Sequence, residues 1–142
     1  MHYEFIPSHL DAIVPETDDG QQDIYRIGDL SNEFGVTLRT LRFYEDRGLL
    51  SPQRSGSTRL YSPEDRARLK IILLAKKVGF SLIEIQEIMD ISDGPLPKNE
   101  QLSLVLAKFN GQIDVLKVQR IELDESMREL DRTIASISEA LG

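Results

Sequence analysis

One stretch decides the fold: residues 27–61 read IGDLSNEFGVTLRTLRFYEDRGLLSPQRSGSTRLY. Its first part places Ile27, Leu30 and Phe34 at the spacing of one helical face. Gly35 follows at once, and glycine ends helices readily because it adopts a positive φ without steric cost. The opening residues therefore predict a short amphipathic helix that ends at Gly35.

A second helix is predicted after a Gly-Val-Thr turn. Thr37 is a suitable N-cap, and the helical run continues to about Arg47 before Gly48 stops it. At 100° per residue, Thr37, Leu41 and Tyr44 fall on one face of this helix. Two short helices joined by such a turn make a helix-turn-helix, an arrangement that docks on duplex DNA.

The opposite face of the second helix carries Arg39, Arg42 and Phe43 together with Asp46. An aromatic ring between two arginines on an outward face indicates that something covers it, and DNA is a suitable cover. Arginines bind phosphates or guanine edges, and the ring can lie against a thymine methyl group or sugars. The alternative interpretation packs Phe43 under the following loop and pairs the arginines with Glu45 and Asp46.

Residues 51–61, SPQRSGSTRLY, predict a hairpin wing that reverses around Gly56. Arg54 and Arg59 flank the reversal, where both can touch phosphates or an adjacent minor groove. Tyr61 has two open interpretations, an anchor of the wing in the core and a phosphate contact.

Two further helices begin with capping sequences, Ser-Pro-Glu-Asp at Ser62 and Ser-Leu-Ile-Glu at Ser81. Lys76 and Lys77 close the first of them, where they complement the helix dipole and also extend the basic segment toward phosphate. The residues expected to face inward are Leu69, Ile72, Leu73, Leu82, Ile85, Ile88 and Met89.

Beyond a Pro- and Gly-containing linker at residues 92–99, a single helix is predicted over residues 100–142. Its apolar residues recur in alternating steps of four and three, with Arg120 as the only polar member, which is a heptad seam. A helix of about 40 residues spans roughly 60 Å, too long for one small domain to cover, so we expect dimerisation. The expected dimerisation residues are Phe109, Ile113, Leu116, Arg120, Leu123, Met127, Leu130, Ile134 and Ile137.

Charge and composition narrow the function. Residues 1–23 have a net charge of −6, residues 24–80 of +5 and residues 81–142 of −6, which give the total of −7. A basic middle between acidic ends fits one module that meets phosphate. The chain has no Cys, and His2 and His9 are its only histidines, so the composition offers no thiolate chemistry and little for acid–base catalysis.

No cofactor or metal is predicted, and an enzyme is the weakest interpretation. The sequence contains no run of about 18 apolar residues, so a soluble, cytoplasmic protein with no membrane partner is expected. The acidic extension at residues 1–23 is expected to be loose or disordered. A role for it as a competitor for the basic surface, or as a peptide that binds a partner, stays open.

Three segments of the chain resemble a known protein family: YRIGDLSNEFGVTLRTLRFYEDRGLLSPQR, RLYSPED and AKKVGFSLIEI. Together they resemble the MerR family of bacterial transcription regulators over about residues 25–91. The resemblance implies a mainly α protein, with a winged helix-turn-helix head at residues 24–91 and a long helix that forms an antiparallel coiled-coil homodimer. The DNA contacts that it implies are Thr37, Arg39, Arg42, Phe43, Tyr44, Arg54, Arg59, Tyr61 and Lys76.

The resemblance also implies a mechanism. Such a dimer binds a pseudo-palindromic promoter operator between elements set too far apart, and bends and untwists the DNA so that RNA polymerase uses both. Ser57 and Thr58 stand where many relatives have a Gly-Tyr pair, and the absence of Cys excludes thiolate sensing. A regulator of branched-chain amino-acid and acyl-CoA catabolism is the predicted subtype, and any small-molecule effector is unknown. The rival interpretation is a helical winged-helix adaptor that binds proteins through its head and coiled coil.

Overall fold

A computed structural model describes residues 23–142, which form helices with one small sheet. The chain divides into two compact units, and the boundary falls after Val105. The predicted mainly helical fold, with a winged helix-turn-helix and a long C-terminal helix, is confirmed. The elements are β1 (Tyr25–Arg26), α1 (Ile27–Phe34), α2 (Leu38–Asp46), β2 (Gln53–Ser55), β3 (Thr58–Tyr61), α3 (Pro63–Lys77), α4 (Leu82–Asp93) and α5 (Lys98–Leu141).

The turn between α1 and α2 is fixed by local hydrogen bonds. Gly35 ends α1 with a φ of 65°, a left-handed conformation that costs glycine little. The Ser31 hydroxyl donates to the carbonyl of Val36 at 2.5 Å. Thr37 caps α2, because its hydroxyl oxygen accepts from the Thr40 amide at 3.1 Å. These contacts set the direction in which α2 leaves the turn.

The wing is an antiparallel hairpin of β2 and β3, joined by a tight turn at Gly56 and Ser57. Gly56 has a φ of 65°, the conformation that such a turn requires. The sequence did not predict the third strand, β1, which pairs with β3 and gives the order β1-β3-β2. The strand that precedes the helix-turn-helix therefore belongs to the same sheet as the wing.

The core of the first unit lies among α1 to α4, with contributions from the sheet and from the start of α5. Ile71 is buried although the sequence interpretation did not include it, and Leu73 is only half-buried. The fully buried large side chains are Leu30, Leu41, Leu49, Leu50, Tyr61, Leu69, Ile71, Ile72, Ile85, Ile88 and Met89. Within residues 23–142 no helix is both long and apolar enough to cross a membrane.

The break before the last helix is shorter than the predicted 92–99 linker. Helix α4 continues through Asp93 and α5 starts at Lys98, so only residues 94–97 are irregular. Gln101 is buried in the first turn of α5 and donates to the carbonyl of Gly94 at 3.1 Å. Val105 is buried as well, so the first two turns of α5 belong to the first unit and not to the coil.

Asp65 connects the start of α3 to the end of the α2–β2 loop. Its carboxylate is buried and accepts from the Ser51 amide at 3.3 Å and from the Ser62 hydroxyl at 3.2 Å. Removing it leaves donors without a partner at a helix N-terminus, which costs about 1–3 kcal/mol.

We therefore expect Asp65→Ala to lower the free energy of unfolding by about 1–3 kcal/mol in urea titrations at one fixed protein concentration. The matched control is Glu64→Ala, because Glu64 is an exposed acid in the same helical turn. Equal losses in the two variants would contradict this account of Asp65.

Candidate nucleic-acid interface

The outward face of α2 presents two free guanidinium groups. Arg39 and Arg42 are exposed, and within residues 23–142 neither makes an ion pair or a hydrogen bond through its side chain. The alternative interpretation, in which Glu45 pairs with them, is wrong because Glu45 binds two other arginines. Both groups therefore keep all of their donors available for a ligand.

Phe43 lies on the same outward face as the two arginines and is 42% exposed. The Arg47 guanidinium covers one side of its ring at 5.0 Å from the centroid, and the Tyr44 ring lies at 6.0 Å. The ring is thus supported from beneath and beside, while its outer part stays open. A partly covered ring of this kind offers apolar contact at a defined position.

Glu45 joins the wing to α2. One carboxylate oxygen accepts from Arg54 Nη2 at 3.0 Å, and the other accepts from Arg59 Nε at 2.5 Å. Arg54 and Arg59 are directly opposite each other in the hairpin, so one side chain holds both wing strands. Arg54 is half exposed, whereas Arg59 and Glu45 are mostly covered.

The contact between Glu45 and Arg59 shifts the pKa of both groups. Burial acts to raise the pKa of Glu45, but the hydrogen bonds and charges of Arg59 and Arg54 outweigh it, so the pKa lies below its ordinary value. The hydrogen bond to Glu45 raises the pKa of Arg59. The lowered pKa of Glu45 and the raised pKa of Arg59 both favour the ion pair that connects the wing to α2.

Two of the predicted DNA contacts need correction. Tyr44 is 2% exposed and Tyr61 is 1% exposed, so both rings lie in the core. Burial raises the pKa of both hydroxyls, as expected for phenols removed from water. Tyr44 shares the inward face of α2 with Leu41, and Tyr61 ends β3 beside α3. Both rings pack beneath the outward surface of α2 and the wing, which is the surface predicted to contact DNA, and they do not form part of it.

Two other predicted contacts, Thr37 and Lys76, are at the surface. Thr37 is exposed, but its hydroxyl already caps α2. Its contribution to DNA binding is therefore to fix the amino end of that helix. Lys76 is exposed in the last turn of α3, and within the described residues it forms no ion pair. Its contact with DNA stays a prediction.

Part of the positive charge in residues 24–80 is structural. Arg66 binds Glu33 of α1 through Nε at 3.0 Å and lies over the Tyr25 ring at 5.6 Å. Arg68 donates to the carbonyl of Leu49 at 3.0 Å and pairs with Asp93 at 2.5 Å. The charge count from sequence therefore overstates the charge that is free to meet phosphate. Across residues 23–142 no three acidic, His or Cys side chains gather to hold a metal ion.

A helix-turn-helix whose second helix exposes free arginines, with a hairpin wing fixed beside it, defines a winged helix-turn-helix DNA-binding protein. The profile described as "MerR HTH family regulatory protein" matches residues 25–91, and the one described as "MerR, DNA binding" matches residues 66–140. The chain belongs to the MerR family. The branched-chain amino-acid subtype stays a prediction.

Relatives of this chain differ in length. The HTH-type transcriptional regulator YfmP of Bacillus subtilis (strain 168) is 32% identical over 120 residues, which are 73% of this chain and 85% of the relative. The HTH-type transcriptional activator mta of the same strain is 32% identical over 115 residues, which are 80% of this chain and 41% of mta. The chain thus spans less than half the length of mta.

Among solved structures the chain is similar to HiNmlR, described as a MerR family regulator lacking the sensor domain and bound to promoter DNA. The two share 28% identity with a TM-score of 0.57, over 73% of this chain and 78% of that chain.

The Glu45 contacts predict an unequal coupling. In double-mutant cycles of unfolding, Glu45→Ala should couple more strongly with Arg59→Ala than with Arg54→Ala, because the exposed Arg54 is better screened by water. The coupling should be present above about pH 4.5, the ordinary pKa of the carboxyl group, and should disappear as the pH falls through the lowered pKa of Glu45. Equal couplings, or couplings that persist when the carboxyl is protonated, would contradict the assignment.

Proposed function

We propose that this protein is a sequence-specific, double-stranded DNA-binding transcriptional regulator that acts as a homodimer. It binds a pseudo-palindromic promoter operator, bends and untwists it, and so affects RNA polymerase through the DNA. The protein works in the cytoplasm and is not an enzyme. The observation that carries the proposal is the exposed set on one face of α2, where Arg39 and Arg42 have no ion-pair partner within residues 23–142 and Phe43 is 42% exposed beside them.

The exposed set on α2 suits the major groove. A helix fits that groove, and a guanidinium there can bind guanine through two hydrogen bonds or hold a phosphate. Phe43 adds an apolar surface of the kind that meets a thymine methyl group. In Arg54 the wing contributes a half-exposed cation that is already oriented by Glu45. Helix and wing together therefore present one reading surface with a fixed internal geometry.

Pairing is supported by the second unit, whose apolar seam is open to water. The seam residues Ile113, Leu123, Met127, Leu130, Ile134 and Ile137 are each more than half exposed. Such a stripe on an isolated helix is unfavourable unless a partner helix buries it. A homodimer gives each operator half-site its own head, which explains why a two-fold symmetric site is proposed.

The relatives point the same way. The names of YfmP and mta describe transcriptional regulators, and HiNmlR is bound to promoter DNA in its crystal. The rival proposal is an adaptor that binds proteins through the same head. The unpaired arginines favour DNA, because a strongly cationic surface around an aromatic ring matches the chemistry of the groove better than that of a neutral protein surface.

Binding-site selection from a random duplex library tests the proposal. If the chain is a DNA-binding regulator, the selection should enrich an inverted repeat. If the chain is an adaptor that binds proteins, no DNA sequence should be enriched.

On the selected operator, affinity should fall steeply with salt, with a log–log slope of about 0.9 for each phosphate contacted. Titrations at several NaCl concentrations measure this slope. An affinity indifferent to salt would contradict a phosphate-binding surface.

Arg42→Ala should weaken operator binding by about 1–3 kcal/mol and relax the preference at one base pair, because a base-edge contact is lost. The control is Arg132→Ala, which removes the same charge from an exposed position on α5. A loss that is equal on every sequence would show that Arg42 holds a phosphate and reads no base.

A further inference from the structure

The α5 seam is symmetric about its own midpoint. From Leu106 to Ile137 its steps of three and four residues read the same in both directions, and the midpoint falls between Arg120 and Leu123. A second copy that runs in the opposite direction can therefore bury every seam position of this segment at once. The layers would join Leu106 to the partner's Ile137, Phe109 to the partner's Ile134, Ile113 to the partner's Leu130, Leu116 to the partner's Met127, and Arg120 to the partner's Leu123.

The edges of the seam carry a matching charge pattern. Lys117 and Asp124 both occupy the heptad position that follows the second apolar residue, the e position. A two-fold axis perpendicular to the helices places e edges opposite e edges. With the seam aligned as above, Lys117 lies about 3 Å along the axis from the partner's Asp124, and the reverse pair is identical.

Arg120 completes the charge pattern. Arg120 is a seam residue, and on the helix surface it is next to the e edge. In this alignment the partner's Asp124 is about one residue along the coil axis from Arg120. Arg120, Lys117 and Asp124 are exposed in the single chain, and within residues 23–142 none of them forms an ion pair. All three side chains are thus available to another molecule.

We propose that Lys117, Arg120 and Asp124 fix the register of an antiparallel α5 pair, through reciprocal contacts of Lys117 and Arg120 with Asp124 of the partner subunit. The proposal rests on the homodimer proposed above and specifies its interface. Each Asp124 receives two cations from the facing helix at the centre of the coil, where ionic contacts are worth most for specifying alignment.

Other arrangements are disfavoured by the same residues. A shift of one heptad in one direction sets Lys117 opposite the partner's Lys117. A shift in the other direction sets Asp124 opposite the partner's Asp124; it also brings Lys117 near the partner's Asp131, so the Asp124 pair and the unpaired seam ends are what oppose it. A parallel, in-register pair places two Arg120 side chains in one core layer. Each alternative brings like charges together, and a heptad shift also leaves seam residues at the ends unpaired.

The register determines a length. In the proposed alignment the two Leu106 residues lie about 47 Å apart along the coil, and a shift of one heptad would change that separation by about 10 Å. The charges at the centre of the coil therefore help to fix the separation of the two Leu106 residues, which are the first residues of the second unit in each chain.

Charge exchange tests the pairing. In sedimentation of the chain of residues 1–142, Lys117→Asp should raise the dissociation constant of the dimer about tenfold, since attraction becomes repulsion at two symmetric places. Asp124→Lys should raise it further, because the two Arg120 contacts also become repulsive. An equimolar mixture of the two variants should form a heterodimer that is tighter than either homodimer and weaker than the wild-type dimer. Both contacts between positions 117 and 124 again join opposite charges, while one of the two Arg120 side chains faces the introduced lysine. The control Arg132→Asp, on the outer face of α5, should leave the dimer unchanged. A mixture as weak as its components would overturn the pairing.

Cysteine crosslinking tests the register without any use of DNA, and the chain has no native Cys to interfere. The double variant Leu116→Cys, Met127→Cys should form a covalent dimer on oxidation, while each single variant should form none. Crosslinking of a single variant would show parallel helices, and no crosslinking of the double variant would show another register or no dimer. If the crosslink forms but operator binding is absent, the proposed function fails and the register stands.

Discussion

The apolar seam of α5 is the constraint on which this protein depends. A 44-residue helix cannot keep a continuous stripe of Leu, Ile and Met in water, and the second unit contains only this helix. A partner helix is the simplest cover, and its arrival brings a second head. Burial of the α5 seam therefore needs two chains, and a pair of chains contacts DNA with two heads. The lone arginine in the seam weakens the coil locally and, through Asp124, makes one alignment better than its neighbours.

Within each head, cations are divided between two tasks. Arg59 is committed to Glu45, and Arg66 and Arg68 join helices of the core. Within residues 23–142, Arg39 and Arg42 on α2 have no ion-pair partner, and Arg54 is bound by Glu45 but half exposed. Because the carboxylate of Glu45, a residue of α2, binds an arginine on each wing strand, the wing is held in position against α2. An acidic residue within a DNA-binding surface therefore has a constructive role, since it orients cations that would otherwise repel each other.

Local pattern in the sequence predicted most of the fold. The caps at Thr37, Ser62 and Ser81, the stop at Gly35 and the reversal at Gly56 follow from the chemistry of single residues and their neighbours, and all are present in the structure. The predicted linker was too long because Pro and Gly mark a break without stating how far the flanking helices extend. Strand β1 has two residues and exists only because β3 lies beside it, so no local pattern announces it.

The site was harder to predict than the fold. Helical spacing correctly placed Arg39, Arg42 and Phe43 outward, because exposure on a short helix follows from angle alone. The same wheel placed Tyr44 inward with Leu41, and the family resemblance wrongly added it to the DNA contacts. The sequence did not predict the partners of Glu45, which even the alternative interpretation paired with Arg39 and Arg42, since these partners lie nine and fourteen residues further along the chain. Contacts of that range depend on how the wing folds back, which the sequence pattern does not state.

The central claim is that the seam makes DNA recognition a property of two chains acting together. Native mass spectrometry of the chain of residues 1–142 with a short duplex carrying the selected operator measures this directly. We expect one dominant complex, in which two chains are bound to one duplex. This complex should persist as the protein is diluted toward the dissociation constant for the operator. A complex of one chain on one duplex, formed with undiminished affinity, would contradict it.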